Sequence, residues 1–139
     1  MPTNKLALVN PTVPEPPNAW LGSKPEWCIY WALVQLGYQD GVDFDYQTSA
    51  FGGRSGEGGA VMDFTIPSLN LAINVQSVYF HYAKEGSRVH DEYVRVSAEQ
   101  WGYNVIYIDE DDAVRDPIFY VKEAFMYIDH SLTVRGRGR

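Results

Sequence analysis

The chain has 139 residues, 45% hydrophobic and 14% aromatic, and a formal net charge of −7; that length buries one continuous core, and that composition excludes disorder of the whole. The negative balance excludes a general attraction to polyanions, because DNA binding draws most of its affinity from phosphate neutralisation, so any nucleic-acid role needs a local basic patch. No apolar run approaches the roughly 20 residues of a membrane span, and the start MPTNKLALVNPTVPEPP lacks a charged region followed by a long apolar one. A soluble intracellular product without a membrane partner is expected.

Residues 1–22 hold five of the eight prolines and no usable period, so an extended arm suited to docking is expected there. A helix is predicted from Ser23 as N-cap, with Pro25 in its first turn, Glu26 three residues after the cap and Gly37 as its stop. Trp27, Tyr30, Trp31 and Val34 share a face at helical spacing, with Leu33 and Leu36 beside them, and are expected to form its core side. Cys28, the single cysteine, sits among Trp27, Ile29 and Tyr30 and reads as a buried inert thiol rather than a nucleophile.

Strands are predicted over Phe44 to Ser49, Ala60 to Ile66 and Leu71 to Val78, joined by the glycine-rich loop Phe51 to Gly59 and a turn at Pro67 to Asn70. In the third strand, alternation puts Leu71, Ile73 and Val75 on one face and Ala72, Asn74 and Gln76 on the other. Asp91 to Trp101 reads as a helix closed by Gly102, followed by a strand from Asn104 to Ile108; Asp116-Pro117 opens a last helix reaching about His130. The order implies an α/β (α+β) domain over residues 23–133: a mixed sheet, with a three-strand antiparallel meander plus one crossover strand, flanked by helices. Residues 134–139 form an Arg/Gly tail.

Some motifs carry little chemistry. The glycine loop lacks the Gly-Lys-Ser/Thr ending of a phosphate-binding loop and precedes a strand, so it reads as a hairpin connection carrying Arg54 and Glu57. His81, His90 and His130 have no zinc spacing, and Asp109-Glu-Asp-Asp112 reads as a solvated turn with weak divalent-ion binding at most. Arg135, Arg137 and Arg139, alternating with glycine, suit phosphates or an acidic protein surface, or form a solvated tail.

The informative stretch runs from Gly59 to His81, where two neighbouring strands can bring Asp63, Asn74 and Gln76 to one edge of the sheet. With the Ser23–Glu26 helix start, the Val-x-Asp-Phe and Leu-x-Ile-x-Val runs, Asp91, Arg95 and Gly102-Tyr103, this pattern resembles the PD-(D/E)XK nuclease superfamily over roughly Ser23 to Pro117. It is closest to the branch of very-short-patch repair endonucleases and small phage-encoded nucleases. The resemblance implies a restriction-endonuclease-like fold and a Mg²⁺ ion held by Asp63 and the residue at position 74. By position, Gln76 stands where the family orients the attacking water, and His81 matches a histidine that assists phosphate chemistry. Asn74 stands where the family has an acid, and Ser77 replaces a frequent glycine.

Mg²⁺ takes hard, usually anionic oxygen ligands, so Asn74 removes a charge the site needs. Glu26 admits two roles, a replacement carboxylate at the sheet edge or a partner of Ser23 in the helix cap. Asp91 and Arg95 form either a surface pair or a strut near the site. Three functions follow: a nuclease-fold protein with a degraded metal site, acting in an assembly such as a phage particle; an active Mg²⁺-dependent DNA endonuclease using Asp63, Gln76, His81 and Glu26; or an unrelated α/β binding protein. Protein partners are expected, with DNA as the alternative, and Arg54, Arg135, Arg137 and Arg139 are the candidate contacts to nucleic acid or partner, in the host cytoplasm or within a virion.

Overall fold

A computed structural model describes residues 12–50, 60–77 and 95–132. Helix α1 (Lys24–Gln35) starts where the sequence places it. Ser23 is extended (φ −78°, ψ 166°), its Oγ accepts the Glu26 N–H at 3.2 Å, and the Glu26 carboxylate accepts the Ser23 N–H at 3.4 Å. This capping box satisfies two donors that the helix cannot. The helix closes at Gly37, whose φ of +95° suits a residue without a Cβ.

The buried face of α1 is Cys28, Ile29, Ala32 and Leu33, which corrects the expected one. Trp27, Tyr30 and Trp31 are half-buried and Val34 is exposed. The rings face a different neighbour: the Trp27 indole N–H donates to the Pro14 carbonyl at 2.8 Å, and Trp20 meets Trp27 and Tyr30 edge-on at 5.3 and 5.2 Å. The proline-rich arm, over its described residues 12–22, therefore lies across its own domain. Bulky rings at helical spacing mark a covered face, but the cover here is irregular chain, while smaller side chains make the closer approach to the sheet.

Strands β1 (Asp45–Ala50), β2 (Ala60–Ile66), β3 (Leu71–Gln76) and β4 (Asn104–Asp109) form one sheet in the order β1-β2-β3-β4. The first two pairings are antiparallel; β4 runs parallel to β3, in register from Leu71↔Asn104 to Gln76↔Asp109. A short 3₁₀ turn (Pro67–Leu69) joins β2 to β3, ending on Asn70 at φ +50°. The parallel step needs a crossover, and helix α2, described over residues 95–100, lies on it. Asp91 falls outside the described residues, whereas Arg95 places its guanidinium 5.8 Å from the Tyr107 ring centre.

Two cores flank the sheet. On the α1 side, Ile29 and Leu33 pack with Phe64, Ile66, Leu71, Ile73, Ile106 and Ile108, joined by residues of α3 (Glu110–Arg115) and α4 (Pro117–Phe125). On the other side, Ala98 of α2 packs with Met62, Ala72, Val105 and Tyr107. The mixed α/β sheet flanked by helices is thus as expected, with the predicted faces of β3 in place. Among the described residues, no helix is long and apolar enough to cross a membrane.

Two further expectations are corrected. The acidic run is not a solvated turn: Asp109 is buried at the end of β4, and Glu110, Asp111 and Asp112 make the first turn of α3, where the helix dipole favours negative charge. The last helix stops at Phe125 rather than near His130. Tyr127 adopts φ +63°, its N–H donates to the Ala124 carbonyl, and the Ile128 N–H reaches back to Glu123, a Schellman closure without glycine. The chain then folds along β4: Asp129 accepts the Tyr107 N–H at 2.9 Å, and Asp109 accepts the Leu132 N–H at 3.0 Å.

Ile73 is fully buried in the α1-side core. Replacing it with alanine is expected to cost about 2–5 kcal/mol, read as a lower urea midpoint at unchanged slope.

Candidate functional site

The β2–β3 ladder ends at Phe64↔Ile73. The next residues in register, Asp63 and Asn74, use side chains where the ladder would use backbone. The Asp63 N–H donates to Asn74 Oδ1 at 2.8 Å, and the Val75 N–H donates to Asp63 Oδ2 at 2.8 Å. On the opposite side of β2, pairing with β1 holds at Tyr46↔Phe64 and Thr48↔Met62 but skips Gln47, which sits at φ +56°. A non-glycine residue there costs on the order of 1 kcal/mol and persists only where its surroundings hold it.

Alternation along β2 breaks at the same place. Phe64 and Ile66 belong to the α1-side core, yet Met62, which a period of two would place beside them, packs in the opposite core. The irregularities in β1 and β2 thus centre on Asp63, whose carboxyl comes within electrostatic reach of Glu26 and Tyr46.

Glu26 completes the helix cap and also reaches the sheet. While closing the α1 capping box, its Oε1 also accepts the Tyr46 hydroxyl at 2.6 Å and lies 3.5 Å from Gln47 Nε2. Tyr46 stacks on Trp20 (4.8 Å, 27°) and packs against Phe64 at 5.1 Å. Gly22 closes over the pair: a Cβ there would stand 2.0 Å from Tyr46 Oη and 2.7 Å from Glu26 Oε1. A side chain on this path requires Tyr46 and Glu26 to shift.

Burial is the main cause that raises the Asp63 carboxyl to about 7; the Glu26 charge adds to it, and the Val75 N–H opposes it. Burial also holds the Tyr46 hydroxyl well above its ordinary range, reinforced by the Glu26 carboxylate it donates to and by the Asp63 charge. Tyr46 is therefore a standing donor to Glu26 at neutral pH.

The structure brings together Glu26, Asp63 and Asn74 among the sequence-predicted residues. Gln76 is buried at the end of β3, opposite Asp109 in register. His81, Arg54, Arg135, Arg137 and Arg139 lie outside the described residues. Tyr46, Gln47 and Gly22 were not singled out from the sequence, and only the glycine next to the cap hints at a close approach. Cys28 is buried, and that burial pushes its thiol up, consistent with an unreactive residue.

The donors fit Mg²⁺ poorly. Asn74 offers one neutral oxygen that already accepts a backbone N–H, and the engaged oxygens of Asp63 and Glu26 accept internal donors. Among the described residues, no group of three His, Cys, Asp or Glu side chains converges as a metal site.

Asp63 gives a pH test of definite sign. The folded chain keeps its proton up to about pH 7, whereas an unfolded aspartate loses it near 4. The Asp63 contribution is therefore complete below about pH 4 and is lost as pH rises to about 7. Asp63→Asn retains an acceptor for Val75 without titrating, so its stability relative to the parent should climb between pH 4 and 8, by at most about 4 kcal/mol. Urea unfolding across that range measures it, and a constant difference would contradict the raised value. Separately, Gly22→Ala should cost about 1–3 kcal/mol through overpacking, and Tyr46→Phe, which removes the nearest atom, should relieve part of that cost in the double variant.

No protein-family model matches the chain, and no curated protein or solved structure matches it, so the site stands on its own geometry.

Proposed function

We propose that this chain is a PD-(D/E)XK-like domain whose metal-binding corner has become an internal lock, and that it serves as a non-catalytic binding or structural component of an assembly. A phage particle is the setting that the resemblance suggests. The observation that carries this reading is the reciprocal clamp in which Asn74 Oδ1 takes the Asp63 N–H and Asp63 Oδ2 takes the Val75 N–H. Oxygens that a nuclease would turn toward Mg²⁺ are here engaged by the backbone. The net charge of −7 agrees with a role in which DNA is not gripped by the whole surface.

A second reading, an active Mg²⁺-dependent DNA endonuclease, is favoured by one feature: Glu26 and Asp63 are near enough for the first to oppose ionisation of the second. Paired acids of this kind are what a divalent cation would neutralise.

Supercoiled plasmid incubated with the purified chain and Mg²⁺ or Mn²⁺ separates the two. The proposed function expects nicking no faster than without protein, for the parent and for Asp63→Ala alike. Metal-dependent nicking by the parent that disappears in Asp63→Ala would establish the endonuclease instead. Asn74→Glu adds a test of descent: cleavage appearing only in that variant would identify a scaffold disabled at one position.

A further inference from the structure

Residues 12–17, Thr-Val-Pro-Glu-Pro-Pro, lie against α1 through a small set of contacts. The Trp27 indole N–H donates to the Pro14 carbonyl at 2.8 Å, and the Glu15 carboxylate faces the Lys24 ammonium at 3.9 Å. Val13 borders a cavity of about 320 Å³ shared with Cys28, Trp31, Val114 and Pro117, between α1 and the α3–α4 junction. Proline fixes φ and removes a donor, so such a segment loses little entropy on docking and offers mainly carbonyls. Aromatic faces with an indole N–H aimed at a carbonyl suit that chemistry.

This half of the arm is lightly held. Thr12, Pro14, Glu15 and Pro17 are exposed, and the Lys24–Glu15 pair is open to water, with side-chain exposures of 58% and 83%. A turn, in which the Trp20 N–H donates to the Pro17 carbonyl at 2.9 Å, separates it from the half anchored by Trp20 on Tyr46. The contacts of the first half are thus distinct from the Trp20–Tyr46 stacking that anchors the second.

We propose that the face of α1 carrying Lys24, Trp27 and Trp31, with the cavity beside it, is a receptor for proline-rich protein segments of the pattern apolar–Pro–acid–Pro. Residues 13–16 occupy it in cis and yield it to a matching segment of a partner protein. The tethered strap competes at an effective concentration on the order of millimolar, so only a partner segment with more contacts displaces it. The spacing fixes what is read: an apolar side chain at the cavity mouth, a carbonyl for Trp27 and an acid for Lys24. This inference is independent of any nuclease ancestry.

The test uses the full chain with its strap weakened by Val13→Asp and Glu15→Lys, and a fluorescein-labelled peptide of native sequence Thr12–Asn18 read by anisotropy. The weakened-strap chain should bind the peptide at least about ten-fold more tightly than the parent, and adding Trp27→Phe should lower that affinity about ten-fold, the effect of one indole hydrogen bond. If Trp27→Phe unfolds the chain, Lys24→Glu replaces it in a background whose strap carries Val13→Asp and Glu15→Ala, so that no strap charge pairs with the new acid: it should weaken the native peptide and prefer one carrying Glu15→Lys. Absence of peptide binding, or binding indifferent to both Trp27 and Lys24, would overturn the proposal. So would a concentration-dependent dimer of the parent that Trp27→Phe abolishes in sedimentation, since a second copy would then be the occupant.

Discussion

The Tyr46 hydroxyl and the Glu26 carboxylate meet at 2.6 Å, and much of the molecule is arranged around that contact. Glu26 belongs to the first turn of α1 and Tyr46 to β1, so one hydrogen bond sets how the helix start sits against the sheet edge. The acceptor is charged and the donor is held protonated, which places the bond among the stronger kinds available to a fold. The same contact dictates the path of the arm, because Gly22 passes over it with no room for a Cβ. It also biases Asp63, since a carboxylate fixed at Glu26 makes a second charge nearby harder to form.

Strand β2 gives up regular pairing at the same residue. In an uninterrupted sheet, Asp63 and Asn74 would be ordinary cross-strand neighbours. Here their side chains supply the backbone's missing acceptors, so the strands part without leaving those N–H groups unsatisfied. Each such bond contributes only about 1 kcal/mol net, but a buried amide left without any partner would cost more. The lock is thus held in place more by the penalty for breaking it than by the gain from making it, and Gln47 in its left-handed conformation is the local cost on the other side of β2.

How much of this was legible in the sequence depended on distance along the chain. The α1 start was readable because Ser23, Pro25 and Glu26 act within one turn. The β2 bounds and the β3 faces were readable because alternation is local and Pro67 and Asn70 punctuate the turn. The α1 core face was misread because Trp27 and Tyr30 are covered by residues 12–22, a segment whose prolines say that it is extended but not where it lies. The acidic run at 109–112 looked like a solvated turn, since charge alone does not distinguish a loop from a first helical turn. The end of α4 was hidden by Tyr127, which takes a conformation that glycine would have announced. At the site, Asp63 and Asn74 were singled out by their resemblance to a nuclease motif, on two neighbouring strands able to bring them to one edge of the sheet. Tyr46 and Gly22 were missed because their importance arises from segments about twenty residues apart meeting at Glu26.

The segment after α4 has a further consequence for how copies of this molecule can meet. Asp129 takes the Tyr107 N–H along the outer side of β4, and Leu132 is tied to Asp109 at the end of the same strand. Strand-to-strand growth into a fibre requires each subunit to accept on one side and offer on the other. Among the described residues, the outer side of β4 is thus partly covered by its own chain, which makes that edge a poorer template for another strand.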